Sequence, residues 1–200
     1  MALVTGGATG GATAGMSAGA TAIDTPRLRL RGWREEDKAP FFERTNTEPV
    51  MRWLGGVKTR EFLDGAIDKF VSWEAERGFT FWALERKEDG ELLGFCGLKR
   101  VDDPQSAIEG EFEIGWRLRE DAWGHGYAKE AAIASLEFAF ERLGAQRVVA
   151  LTVDGNATSW GLMMRLGMTR RSDLDYTGPA WAEGTVIVYV IERDEWCTES

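Results

Sequence analysis

Apolar residues recur along this chain with two periods. Leu28 and Leu30 alternate with Arg27, Arg29 and Arg31, a period of two that predicts a strand. Glu35 to Thr45 has helical spacing, anchored by Phe41 and Phe42. After a Gly55-Gly56 break, Phe62, Leu63, Ile67, Phe70 and Trp73 or Val71 recur every three to four residues over 60–77. That spacing predicts an amphipathic helix ended by Gly78. Phe79 to Glu85 and Leu92 to Leu98 predict two strands joined by a hairpin at Asp89-Gly90. Beyond a polar loop near Pro104, Glu111 to Leu118 alternates as the third strand of an antiparallel meander. Ala128, Ala132, Leu136, Ala139 and Leu143 then mark one face of a long helix, with Gly144 as its stop. Arg147 to Val153 reads as a strand buried on both faces. Ala157 to Leu166 is a short helix stopped by Gly167, and Thr185 to Ile191 is a closing strand. A strand–helix–strand unit after a meander requires a mixed sheet, hence an α/β (α+β) class. No internal repeat is visible.

Length and composition narrow the partners. The 200 residues favour one domain, and 44% hydrophobic with 28% charged residues argues against disorder of the whole chain. The net charge of -9 repels phosphate backbones, so nucleic acid is not an expected partner. No apolar run approaches the ~20 residues of a membrane span. Two cysteines, Cys96 and Cys197, and a single histidine, His125, build neither a disulfide framework nor a metal site. The expectation is a cytoplasmic protein with reduced thiols. Residues 1–22 stand apart: 17 of the 22 are Gly, Ala or Thr and none is charged. They read as a flexible low-complexity tail ahead of a single domain at 23–200, or as an over-long start with Met16 as initiator. Within them, Val4 to Gly11 imitates a dinucleotide-binding turn. The buried strand before it and the amphipathic helix after it are missing, and so is a Tyr-x-x-x-Lys pair, so a dehydrogenase is disfavoured.

The chemistry concentrates in Glu113-Ile114-Gly115-Trp116-Arg117-Leu118 followed by Trp123-Gly124-His125-Gly126-Tyr127-Ala128. A strand ends, two glycines turn the chain, and a helix opens. Unpaired N–H groups at a helix start, reached past glycines, suit an anion such as a pyrophosphate. Asp154-Gly155-Asn156-Ala157-Thr158-Ser159 repeats the strand-to-helix passage, and Leu166-Gly167-Met168 closes that helix. Taken alone, Asn156 reads as an N-cap.

On these four motifs, together with the opening TPRLRLR and the closing VYVIERDEW, the chain resembles the GCN5-related N-acetyltransferase (GNAT) superfamily over roughly Asp24 to Trp196. Within it, the chain resembles the RimJ/RimL-like group of ribosomal-protein alanine acetyltransferases. The resemblance implies a mixed sheet of about seven strands, splayed between the fourth and fifth, with about four flanking helices. It implies acetyl-CoA as donor. The pantetheine would pair with main chain of Trp116, Arg117 and Leu118. The pyrophosphate would sit on the amides of Gly124, His125, Gly126, Tyr127 and Ala128, and Asn156 would bond the pantetheine arm. Two positions depart from the family pattern. Asp121 stands where Gln or Arg is frequent, leaving Arg119 or Lys129 to attract phosphate. Met163 stands where many members carry an acidic tyrosine.

The implied reaction is direct attack of an amine on the thioester. Glu113 and Glu111 are candidate proton acceptors, with the plain reading of exposed strand carboxylates beside them. Ser159 would return a proton to the departing thiolate. His125 reads as a solvent-facing loop residue. Trp53 and the 55–60 loop would shape the acceptor side. The acceptor would be a small-molecule amine or a protein N-terminus, and the nine tryptophans make a homodimer an expectation. The competing function is a catalytically silent acyl-CoA-binding module.

Overall fold

The computed structural model describes residues 22–178, 182 and 184–196. The low-complexity segment lies outside these residues, apart from Ala22, as do Trp181 and Cys197. Among the described residues, nine strands pair in one sheet: β1 (Ile23–Asp24), β2 (Leu28–Arg31), β3 (Phe81–Arg86), β4 (Leu92–Arg100), β5 (Phe112–Leu118), β6 (Arg147–Val153), β7 (Thr169–Arg170), β8 (Tyr176–Thr177) and β9 (Thr185–Glu192). The order is β1-β2-β3-β4-β5-β6-β9-β7, with β8 also on β9. Three of the nine are two-residue strands, too short to show a period in the sequence, and the total exceeds the about seven that the resemblance implied. Counting Ile23–Asp24, the splayed pair is the fifth and sixth strand in chain order.

Among the described residues, four helices have eight residues or more: α1 (Lys38–Thr45), α3 (Arg60–Arg77), α4 (Tyr127–Glu137) and α5 (Ala157–Arg165). Single turns α2 (Glu48–Met51) and α6 (Arg193–Trp196) add to them. Local chemistry sets the ends of α3. The Thr59 hydroxyl accepts the Phe62 amide, and Gly78 takes φ 78° to close the helix. Leu63, Ile67 and Phe70 are its buried stripe, whereas Phe62 and Val71 are exposed, contrary to the expected anchoring face. The helix expected over 128–143 is α-helical only to Glu137. Phe138–Arg142 continue as a wider π-type turn. The third meander strand begins at Phe112, leaving Glu111 just outside it.

The sheet separates two apolar layers. On one face, α4 and α5 cover Trp82, Leu93, Phe112, Ile114, Val148 and Ala150. On the other, Phe41, Leu63, Ile67 and Phe70 of α1 and α3 pack on Phe81, Ala83 and Phe95. A separate cluster on that face joins Val101, Ile108, Val149, Val188 and Val190, with Tyr176 against it. Side chains alternate along a strand. Glu113, Gly115 and Arg117 of β5 therefore face this second side, between the α1/α3 cluster and the Val149 cluster.

Candidate active site

Every strand pair in the sheet is antiparallel except β5–β6, which is parallel. Only Phe112↔Val148 and Glu113↔Val149 pair there, although both strands run on for several residues. Beyond Glu113 the two strands diverge, and the edge of β5 is unpaired from Ile114 onward. Its other edge stays on β4 throughout. The Arg119 amide donates to Leu93 O at 2.8 Å and the Val101 amide to Glu111 O at 2.9 Å. Antiparallel ladders alternate, so odd-numbered residues of β5 turn their main chain to β4. Ile114, Trp116 and Leu118 turn theirs into the gap.

Two of the three residues expected to offer main chain, Trp116 and Leu118, thus face the gap, and Arg117 does not. The Leu118 carbonyl already accepts the Trp123 indole N–H at 3.0 Å.

At the end of β5 the chain turns through Gly124 and Gly126, both at φ 78°, a left-handed conformation that favours glycine. Gly126 caps α4. Among the described residues, no backbone carbonyl receives the amides of Gly124, His125, Gly126, Tyr127 or Ala128. These donors, with the positive end of the α4 dipole behind them, fit a pyrophosphate. His125 is exposed, and its ring stacks on Tyr127 at 5.5 Å.

Arg27 braces this turn, a role the sequence did not reveal. It donates to His125 O (2.9 Å) and to Glu130 Oε2 (2.6 Å), and its guanidinium lies 4.7 Å from the Tyr127 ring centre. Arg119, expected near phosphate, is instead buried. It pairs with Glu91 at 2.7 Å and Asp121 at 2.8 Å, which also accounts for the carboxylate at 121. Lys129 is exposed in the first turn of α4.

Across the gap, Asn156 caps α5 and accepts the Ser159 amide at 3.4 Å. Ser159 is half-buried there, while Met163 is in the core. Gly155 lies under the Trp53 ring: a Cβ there would stand 2.6 Å from it. Trp53, just past α2, thereby bridges to the loop after β6.

The two carboxylates part company. Glu111 is held by Arg147 of β6. Glu113 is half-buried at the vertex of the gap, with its Oε2 buried. Lys99 Nζ lies 3.2 Å from its Oε2, an ion pair off the line a hydrogen bond needs. Burial raises the Glu113 carboxyl above the ordinary glutamate range, and the pull of Lys99 offsets this only in part. Burial opposes the charge on Lys99, but Glu113 and Asp102 outweigh it and raise its pKa.

Among the described residues no cluster of His, Cys, Asp and Glu could hold a metal ion, and no helix is long and apolar enough to cross a membrane.

Residues 27–169 match the acetyltransferase (GNAT) domain family. The uncharacterised protein YkkB of Bacillus subtilis is 34% identical over 153 residues, 74% of this chain and 85% of that protein. The uncharacterised N-acetyltransferase YnaD of the same organism is 29% identical over 87% of this chain and 98% of its own. A FsC-acetyl coenzyme A-N(2)-transacetylase of Aspergillus fumigatus is 35% identical over 60% of this chain, which spans 52% of that protein. Among solved structures, an acetyltransferase from Agrobacterium tumefaciens superposes with a TM-score of 0.73 at 26% identity, over 86% of this chain and 94% of its own. A structure described as a ribosomal-protein-serine acetyltransferase from Vibrio cholerae shares the fold, with a TM-score of 0.72 at 18% identity over 86% and 97% of the two chains. The family match covers most of the chain, and the protein belongs to the GNAT acetyltransferases, acetyl-CoA-dependent enzymes that acylate nitrogen.

Proposed function

We propose that the protein transfers the acetyl group of acetyl-CoA to a primary amine, on a small molecule or a protein N-terminus, by direct attack. The observation that carries this is the parallel β5–β6 pair, bonded at only two positions and then open, with the glycine turn and its free amides at the far end. When bound, acetyl-CoA supplies an activated thioester carbonyl. The amides of Gly124 to Ala128 hold the pyrophosphate, and the main chain of Trp116 orients the pantetheine in the gap. The Asn156 carboxamide bonds the same arm. Glu113 takes the proton from the ammonium at its carboxylate; its raised pKa makes it a stronger base than an exposed glutamate. Glu111, occupied by Arg147, is the weaker candidate. The Ser159 hydroxyl gives its proton to the departing sulfur and takes up the remaining proton of the attacking nitrogen, so that it ends as it began. Trp53 and the 55–60 loop wall the acceptor side. Within the family, the four motifs support a place in the RimJ/RimL-like group. The free, buried Cys96 thiol suits a reducing cytoplasm.

The test is calorimetric titration with acetyl-CoA, followed by release of free thiol in the presence of amines. One-to-one binding and amine-dependent thiol release are expected. Absence of heat on titration overturns the donor assignment, and binding without release to any amine identifies a silent acyl-CoA module instead.

A further inference from the structure

The second face of β5 ends on a cation without a counter-charge. Arg117 Nε and Nη1 are buried and find no hydrogen-bond partner among the described residues. Burial pulls the guanidinium's pKa down to about 10, and among the described residues no carboxylate acts on it. The protein treats its other interior arginines differently. Arg31 is paired with Asp37 and Glu85 at 2.7 Å each, and Arg119 with Glu91 and Asp121. An unpaired buried charge is costly and calls for an anion.

The guanidinium is also held in place. It lies 5.2 Å from the Phe95 ring centre and 5.5 Å from that of Phe41. Phe95 stacks on Phe81 at 5.0 Å, and Phe81 in turn presses on Gly115, where a Cβ would stand 2.9 Å away. Arg117 as a whole is half-buried, so one side of it is reachable. It shares its face of β5 with Glu113, four residues and about 13 Å of strand away, a span that a small molecule covers together with the two long side chains.

We infer that Arg117 receives a carboxylate of the acceptor, which is therefore a small molecule carrying both a primary amine and a free carboxylate, as an amino acid does. The inference rests on the acetyltransferase reading above. A planar guanidinium beside two aromatic rings can meet a carboxylate in two parallel hydrogen bonds, which a lysine in its place would not reproduce.

The experiment compares α-amino acids with their α-amides as acceptors, using native protein and the Arg117→Met and Arg117→Lys variants. Native protein should prefer at least one acid over its amide by tenfold or more in kcat/KM. Arg117→Met should erase that preference through acceptor KM, with the Kd for acetyl-CoA within twofold of native; Arg117→Lys should restore it only in part. Calorimetry of the same acids and amides with CoA-saturated protein gives a readout without turnover. Selective binding of an acid, lost in Arg117→Met, supports the site even if no acetyl transfer occurs. Equal handling of every acid and amide, or a weakened acetyl-CoA Kd with acceptor KM unmoved, overturns it. The melting temperature of each variant separates a folding defect from a binding one. If Arg117→Met does not fold, the Arg117→Lys comparison decides alone.

Discussion

Glu113 and Lys99 sit opposite each other on β5 and β4, a register that places a carboxylate and an ammonium at the one point where the sheet begins to open. Burial holds the Glu113 proton more tightly than water would, and Lys99 loosens it. As a base, the residue works only once that proton is gone. Activity should therefore rise with pH through a limb lying above the ordinary glutamate pKa. Glu113→Gln should remove that limb and lower kcat by about 10²-fold or more, a usual loss for a general base. The acetyl-CoA Kd should stay within twofold. A pH–rate profile of the variant that keeps the native limb would assign the proton transfer elsewhere. Arg117 illustrates the opposite treatment of charge: it is desolvated with no partner and stabilised only by ring faces.

At the scale of elements, the site is made where pieces distant in sequence touch. Trp53 follows α2, Gly155 follows β6, and they meet because nothing projects from Gly155. Gly155→Ala should force the indole aside, an overpacking cost of about 1–3 kcal/mol. In a chain of this size that lowers Tm by about 2–4 °C per kcal/mol. On a Trp53→Ala background the same substitution should cost almost nothing, because the two residues share one contact. Equal losses on both backgrounds in thermal unfolding would disprove the bridge. That contact was not legible in the sequence, where Gly155 reads only as a turn residue. Nor was Arg27 gripping Glu130 from 103 positions away, or the capture of Arg119 by Glu91. Local rules could be read directly: the stop of α3 at Gly78, the span of β6, the glycines at φ 78° before α4. Each depends on neighbours within a few residues. The π-type turn after Glu137 obeys tertiary packing, with the Ala145 amide reaching back to Ala139 O, and the helical period runs through it without a sign.

At the scale of the whole molecule, the described residues pack three apolar clusters on the two faces of one sheet, and the Gly/Ala/Thr-rich segment is expected to add nothing to them. Removing residues 1–22 should leave kcat, KM and Tm within error of the full chain; a drop in any of them would give that segment a part in the fold or the site. The half-open strand has a consequence of its own. Along β5 every second amide is bonded to β4, while Trp116 and Leu118 turn theirs to the gap. Transferred into D2O, the protein should therefore take up deuterium along this strand in alternation, quickly at 116 and 118 and slowly at 115 and 117. Saturating acetyl-CoA should slow the quick positions and leave the slow ones alone, so that a few NMR cross-peaks would report both the occupancy and the line the ligand follows through the sheet.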